Sequence, residues 1–163
     1  MTEPEPNMKS DLQEMTPELA REIAQDLVNA AGFELTAVIT DPADGYTAID
    51  LQGNDTGYLT ARQGEALNAF QHLLCLMVSR ATGERARIVV DAGQYRAKRA
   101  EALVKTAREL AQQVRDSGQE VEMDPLSAAE RRVVHSALLD EPGVRTYSEG
   151  EEPERRVVIS PEE

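Results

Sequence analysis

Two residues with nucleic-acid chemistry stand four positions apart in the segment ERRVVH. At this spacing Arg131 and His135 lie on the same face of a helix. A guanidinium binds a phosphate through parallel hydrogen bonds, and an imidazole donates to a phosphate or stacks on a base. The structural alternative is a partly buried histidine that hydrogen-bonds a local carbonyl. The residues alone leave both interpretations open.

A second candidate is a tight loop, Ala61-Arg62-Gln63-Gly64, between a short predicted helix and a strongly amphipathic one. With glycine at position 61 it would read Gly-x-x-Gly, the loop that clamps nucleic-acid backbone in KH domains. Glycine serves there because a β-carbon would collide with the phosphate or forbid the required φ. The loop is therefore either a weakened clamp, to which Arg62 adds a phosphate contact, or a helix-hairpin turn used for protein contact.

Charge is unevenly distributed along the chain. The formal net charge of −13 argues against casual nucleic-acid binding, because affinity for phosphate comes mainly from lysine and arginine. Residues 93–140 are the one neutral stretch, and a predicted long helix there carries a basic stripe that makes Arg96 and Arg99 candidate phosphate contacts. The bland alternative is a charged outer face that serves solubility. The basic residues on that helix are Arg96, Lys98, Arg99, Lys105, Arg108 and Arg115.

Catalytic and metal-binding chemistry has little support in the sequence. His72 and Cys75 are three apart on one predicted helix, on the side away from its apolar stripe and without an orienting carboxylate. Two distant histidines and a single cysteine make no metal set. No phosphate-binding glycine-rich motif is present. We predict no catalytic residues, no metal and no cofactor.

The elements of the first part follow from periodicity and turn residues. Residues 1–15 are polar and predicted to be disordered, and Thr16-Pro17 predicts a helix start with Gly32 as its end. FELTAVIT and YTAIDLQ predict a hairpin, and RIVVDA predicts a buried strand. The helix after the loop is predicted to pack on this sheet through Ala66, Leu67, Phe70, Leu73, Leu74, Met77 and Val78.

The last part has its own pattern. A long helix, about 94–117, is followed by EVEM, a candidate strand, and by SAAE, a capping box that opens the helix of Arg131. GVRTY and RRVVIS predict a closing hairpin. Arg131 and His135 fall at the border of that helix's buried side, which is formed by Val133, Val134, Ala137 and Leu138.

The α-β-β-α-α-β order with a four-residue loop between its central helices resembles a type II KH domain. Arg-x-x-x-His at 131 and 135 resembles the small single-stranded nucleic-acid module named after that spacing. Their order, joined by a basic helix, resembles the bacterial Jag family, also called KhpB, over about 16–160. The EGEEPERRVVI ending is similar to the family's C-terminal hairpin. The expected fold is α+β: a KH-like domain at 16–92, a connecting helix at 93–117 and an Arg-x-x-x-His domain at 118–160.

The resemblance implies a non-catalytic protein that binds single-stranded RNA, or single-stranded DNA. It further implies post-transcriptional regulation linked to cell elongation and envelope growth, and pairing with a small stand-alone KH protein. The implied contact residues are those of the 61–64 loop, Arg96, Arg99, Arg131 and His135. The chain departs from the family at Ala61 and in the N-terminal domain that often precedes the KH unit.

Two rival interpretations remain at this point. One is a protein-interaction scaffold whose KH loop no longer binds RNA; the other is an inactive KH unit beside a working second module. The chain has no apolar run near the ~18 residues of a membrane span and no signal-peptide pattern. We therefore expect a cytoplasmic protein without a membrane partner.

Overall fold

The computed structural model describes residues 8–40 and 45–162, with side chains described from residue 16 onward. The chain divides into two compact units, Met1–Arg96 and Ala97–Glu163. Each unit has its own three-stranded sheet and its own hydrophobic core. The mixture of helices and small sheets that the sequence predicts is present.

The first unit contains the predicted hairpin and the predicted buried strand. Strand β1 runs antiparallel to β2, and β2 runs parallel to β3, in the order β1-β2-β3. Ile49 at the centre of β2 lies opposite Ile39 and Val90, and it is almost fully buried. The elements are α1 (Met8–Ala30), β1 (Leu35–Thr40), β2 (Thr47–Gly53), α2 (Thr56–Thr82) and β3 (Ile88–Ala92).

Helix α1 begins earlier than the sequence predicts. It starts at Met8 and carries Pro17 inside it, rather than starting at Thr16-Pro17. Residues 8–15 contain neither glycine nor proline, so nothing in them stops a helix, and Pro17 forgoes one backbone hydrogen bond without ending it. The predicted disorder of 1–15 is therefore wrong for 8–15, and for 1–7 it lies outside the described residues.

The apolar band of α2 is only half buried. Of the predicted stripe, Leu67, Leu74 and Val78 are buried, whereas Leu73 and Met77 are 47% and 39% exposed. The band is wider than the helix surface that a sheet can cover, so one edge is left in solvent. We call this edge the α2 outer stripe; it consists of Ala66, Ala69, Leu73, Leu76 and Met77.

The second unit is the predicted β-α-β-β arrangement packed on a long helix. Its strands are antiparallel in the order β4-β6-β5. The capping box forms as predicted: the Ser127 side chain accepts from the Glu130 amide, and the Glu130 carboxylate accepts from the Ser127 amide. The elements are α3 (Tyr95–Ser117), β4 (Val121–Glu122), α4 (Ala128–Leu138), β5 (Val144–Glu149) and β6 (Arg156–Pro161).

Helix α3 is a wall of the second unit and not only a connector. From Ala97 onward it belongs to this unit, and its inward side chains are fully or almost fully buried in the core: Leu103, Ala107, Ala111 and Val114. The expected domain at 118–160 is shorter than the ~70 residues below which a single core seldom suffices. Adding α3 supplies the apolar surface that this segment lacks, so the boundary moves from 118 to about 97.

Candidate nucleic-acid interface

The chain leaves the helix at the predicted loop inside α2. Ala61 is extended (φ −62°, ψ 161°), and Arg62, Gln63 and Gly64 are all left-handed, with φ of 50°, 58° and 75°. A left-handed conformation costs a non-glycine residue about 1–2 kcal/mol, so it persists only where the surroundings impose it. Ala61, Arg62 and Gln63 are exposed, and only Gly64 is buried.

Gly64 is held against a residue that sequence reasoning missed. A β-carbon at this position would lie 2.5 Å from Cε1 and 2.9 Å from Cζ of Tyr95, so an alanine would collide with the tyrosine ring. Gly64 is thus required twice, by its φ and by this contact. Tyr95 is far along the chain, and no local pattern connects it with the loop.

Arg96, a predicted phosphate contact, ties together elements of the first unit. Its Nε donates to the Val90 carbonyl (2.7 Å) and its Nη2 to Gln71 Oε1 (2.9 Å), while Nη1 reaches Asn68 Oδ1 at 3.3 Å. Asn68 lies one turn after Gly64. Arg96 therefore sits near the start of the helix that follows the loop, with its guanidinium engaged in structural hydrogen bonds.

Arg99, the other predicted contact on α3, lies in the second unit and is ion-paired. Its Nε donates to Glu130 Oε1 at 2.8 Å, and both side chains are mostly buried. Burial acts to raise the pKa of Glu130, but the hydrogen bonds from Arg99 and Ser127 outweigh it and lower that pKa. Glu130 thus stays ionised, caps α4 and fixes Arg99 beside the first turn of that helix.

Arg131 is buried more deeply than the sequence predicts. The residue is 8% exposed, not at the border of the helix face. Its Nη1 donates to the Leu126 carbonyl and its Nη2 to Glu152 Oε1, both at 2.7 Å. The guanidinium therefore already holds a carboxylate. Glu152 lies in the hairpin loop, where the sequence indicated only a polar connection.

His135 lies one turn further along the same face of α4. Its Nδ1 is 2.7 Å from Thr146 Oγ1, and its Nε2 is 2.9 Å from Ser148 Oγ. Burial lowers the pKa of His135, and the charge of Arg131 adds to that effect, so the ring is neutral at pH 7. The partners are hydroxyls of β5 rather than the local carbonyl of the structural alternative. Thr146 and Ser148 alternate on one strand face, a signal the sequence offered.

The structure groups the predicted residues by unit. The loop 61–64 and Arg96 lie in the first unit, near the start of the second half of α2. Arg99, Arg131 and His135 lie in the second unit around α4. The part of the sequence analysis that concerns Cys75 needs correction: it packs against the first core, with Sγ 3.8 Å from the Ile88 carbonyl, while His72 is exposed. A helix face wide enough to reach β3 draws the thiol inward.

Two further searches concern the described residues only. No cluster of three or more histidine, cysteine, aspartate or glutamate side chains there is arranged to hold a metal ion. Within the same part of the chain, no helix is both long and apolar enough to cross a membrane.

Comparison with known proteins places these features in a family. Residues 101–161 match the family of domains named for the spacing Arg-x-x-x-His. "RNA-binding protein KhpB" of Clostridium symbiosum is 36% identical over 112 residues, covering 69% of this chain and 50% of that protein. The protein of the same name from Bacillus subtilis is 34% identical, covering 68% and 54%. The one from Lactiplantibacillus plantarum is 30% identical, covering 74% and 37%.

The chain belongs to the Jag (KhpB) family. It spans about half the length of the Clostridium and Bacillus relatives. Within this Jag-family chain, the Arg-x-x-x-His domain match includes Arg131, His135 and most of α3, in agreement with α3 as part of the second unit. The loop 61–64, Arg96 and Arg99 lie outside that match.

Proposed function

We propose that this Jag-family chain is a non-catalytic protein that binds single-stranded RNA, with single-stranded DNA as a further ligand. The observation that carries the proposal is the 61–64 loop, where consecutive left-handed residues stand directly before a helix. Strained backbone of this kind concentrates at binding sites. The names of the relatives, RNA-binding proteins, support the same function.

In the first unit the ligand is the phosphate backbone. The start of a helix leaves amide N–H groups without intrahelical acceptors and carries a partial positive charge, which together favour a phosphate. Arg62 adds an exposed full charge. The φ of −62° at Ala61 is ordinary for any residue, so alanine does not forbid the loop conformation. Only its methyl group stands between the backbone and a phosphate, and the clamp is weakened rather than abolished.

In the second unit the ligand contacts are side chains. Arg131 supplies charge, and the neutral His135 supplies one donor and one acceptor, whose assignment follows the rotation of the Thr146 and Ser148 hydroxyls. A single-stranded segment offers phosphates to the arginine and base edges or ring faces to the histidine. Both side chains project from one face of α4, so they contact neighbouring nucleotides.

The family resemblance extends the proposal. We assign the first unit to the type II KH fold, supported by the antiparallel β1-β2 and parallel β2-β3 pairings. The proposed role is post-transcriptional regulation linked to cell elongation and envelope growth in the cytoplasm. The proposed protein partner is a small stand-alone KH protein.

The second candidate function is a protein-interaction scaffold, and the α2 outer stripe favours it. Leu73, Leu76 and Met77 are 47%, 55% and 39% exposed on adjacent turns of one helix. A contiguous apolar strip on a helix face is a docking surface for another helix. The two functions are compatible if the stripe takes the KH partner while the loop takes RNA. Leu76→Glu would then abolish co-elution with that partner and leave RNA affinity unchanged.

Fluorescence anisotropy of a labelled single-stranded RNA at several salt concentrations tests the proposal. The intact protein is compared with Arg131→Ala/His135→Ala and with a matched control, Arg132→Ala/His72→Ala, which removes the same residue types from exposed positions. We expect salt-sensitive binding that the first variant weakens about tenfold more than the control. Arg131→Lys, which keeps the charge but loses the fork, covers the case in which the double variant is unfolded. Absence of binding at low salt would refute RNA binding.

A further inference from the structure

Arg131 is a buried cation whose guanidinium holds one partner that can leave and one that cannot. The Leu126 carbonyl, which accepts from Nη1, belongs to the backbone of a buried residue. Glu152, which accepts from Nη2, has a side chain that is 58% exposed, against 10% for Arg131. The carboxylate of Glu152 is therefore the group that can exchange at this guanidinium.

Glu152 belongs to the segment 150–155 between β5 and β6, which we call the β5–β6 loop. The loop leaves β5 through Gly150 at φ +87°, a turn that favours glycine. It carries three glutamates, of which Glu151 and Glu154 are exposed and make no hydrogen bond or ion pair within the described structure. The loop thus places one chosen carboxylate on the buried arginine.

A carboxylate and a phosphate use the same donors on a guanidinium. Both present oxygen pairs that accept charge-assisted hydrogen bonds from adjacent N–H groups. Because Nη1 is committed to the Leu126 carbonyl, a phosphate approaching Arg131 from solvent must take Nη2 and displace Glu152. The two anions compete for one position.

We propose that Glu152 is an intramolecular stand-in for phosphate, so that the β5–β6 loop acts as a gate on the second unit's ligand site. In the free protein the carboxylate occupies Nη2 of Arg131; on binding, a backbone phosphate of single-stranded nucleic acid replaces it. The inference rests on the proposed function and names the ligand group at Arg131. Glu152 sets affinity by competition and does not itself contact the ligand.

The competing explanation is a structural pin. On that account the Arg131–Glu152 pair fastens the hairpin loop to α4 and has no bearing on ligand. Removing the Glu152 charge would then change affinity only as removal of any nearby negative charge does. Glu151 supplies that reference, because it is the adjacent residue, carries the same charge and is exposed.

The test compares Glu152→Gln with Glu151→Gln in the full chain, by anisotropy with single-stranded RNA at fixed salt. Glutamine keeps an oxygen that accepts from Nη2, so the loop stays in place while the competing charge is removed. We expect Glu152→Gln to tighten binding about threefold to fivefold, the range of a partly exposed ion pair, and Glu151→Gln by less than about twofold. Equal effects of the two variants would overturn the gate.

A second readout separates failure of the gate from failure of RNA binding. If no variant binds RNA, the proposed function fails, and the gate is decided with inorganic tripolyphosphate. The Nε–Hε NMR signal of Arg131, assigned by its loss in Arg131→Lys, should shift at several-fold lower tripolyphosphate in Glu152→Gln than in Glu151→Gln. Indistinguishable titrations of the two variants would overturn the gate, whatever the outcome with RNA.

Discussion

The two candidate sites are built from different materials. The 61–64 loop is shaped by backbone angles and by the contact of Gly64 with Tyr95, and its outer residues are exposed. The site on α4 is made of side chains that are bonded already, Arg131 to Glu152 and His135 to two hydroxyls. The first site is preorganised and open, whereas the second must exchange partners before it takes a ligand. Substitutions in the first should act through conformation, and those in the second through competition.

The largest effect is expected where the loop's conformation is enforced. Gly64→Ala should lower the free energy of unfolding of the first unit by about 2–4 kcal/mol, from the positive φ and the overlap with the Tyr95 ring. Urea titration followed by NMR amide signals of β2 reports this unit separately. Gly83→Ala is the matched control, since Gly83 has φ +74° with nothing within 4 Å of its β-carbon. It should lose only about 1 kcal/mol. Equal losses would mean that Tyr95 does not enforce the loop.

The side-chain site should show a somewhat smaller loss of stability. Arg131→Ala leaves the buried Leu126 carbonyl without a donor and Glu152 without its cation, so the second unit should lose about 2–3 kcal/mol. Amide signals of β6 in the same urea titration report it. Arg132→Ala, an exposed neighbour, should stay within about 0.5 kcal/mol of the unchanged protein. If Arg132→Ala cost as much, the buried contacts would not be what holds this site.

The same contrast explains what the sequence could predict. Features encoded by neighbouring residues were predicted correctly: the hairpins, the Ser127–Glu130 capping box and the break in α2. Pro17 misled because a helix-start signal does not prevent a helix from continuing through it. Local chemistry is written in the sequence even where its purpose is not.

Features that depend on distant partners were missed. Tyr95 against Gly64 and Glu152 on Arg131 join residues that become neighbours only after folding. The burial of Arg131 follows from the second, because a border position becomes an interior one once the β5–β6 loop covers it. The division of the α2 apolar band was also unpredictable, since the sequence does not say how much of a wide band the sheet will cover.

Whether the open loop binds at all can be read from a graded series at Ala61. The residue's φ of −62° accepts any side chain, so changes there alter mainly the bulk facing a phosphate. RNA affinity should rise about twofold to fourfold in Ala61→Gly and fall by a similar factor in Ala61→Val, by the same anisotropy assay. A Thr60→Val variant, which changes an adjacent side chain outside the loop, should have little effect. A flat series would favour the scaffold over the clamp.

The smallest expected effect is a dependence on pH that belongs to the second site alone. Burial, and then the charge of Arg131, lower the pKa of His135 in the folded protein below the ~6.5 of an unfolded chain. The folded state therefore binds this proton less readily than the unfolded state. The contribution to stability is full above pH ~6.5 and is lost as the pH falls from there through the folded pKa. Urea midpoints of the β6 amides should fall between pH ~7.5 and ~5.5 more in the unchanged protein than in His135→Gln, whose amide still meets both hydroxyls. An identical fall in both would mean that the hydroxyl pair accommodates the charged ring as readily as the neutral one, and that exchange at this site does not depend on a neutral histidine.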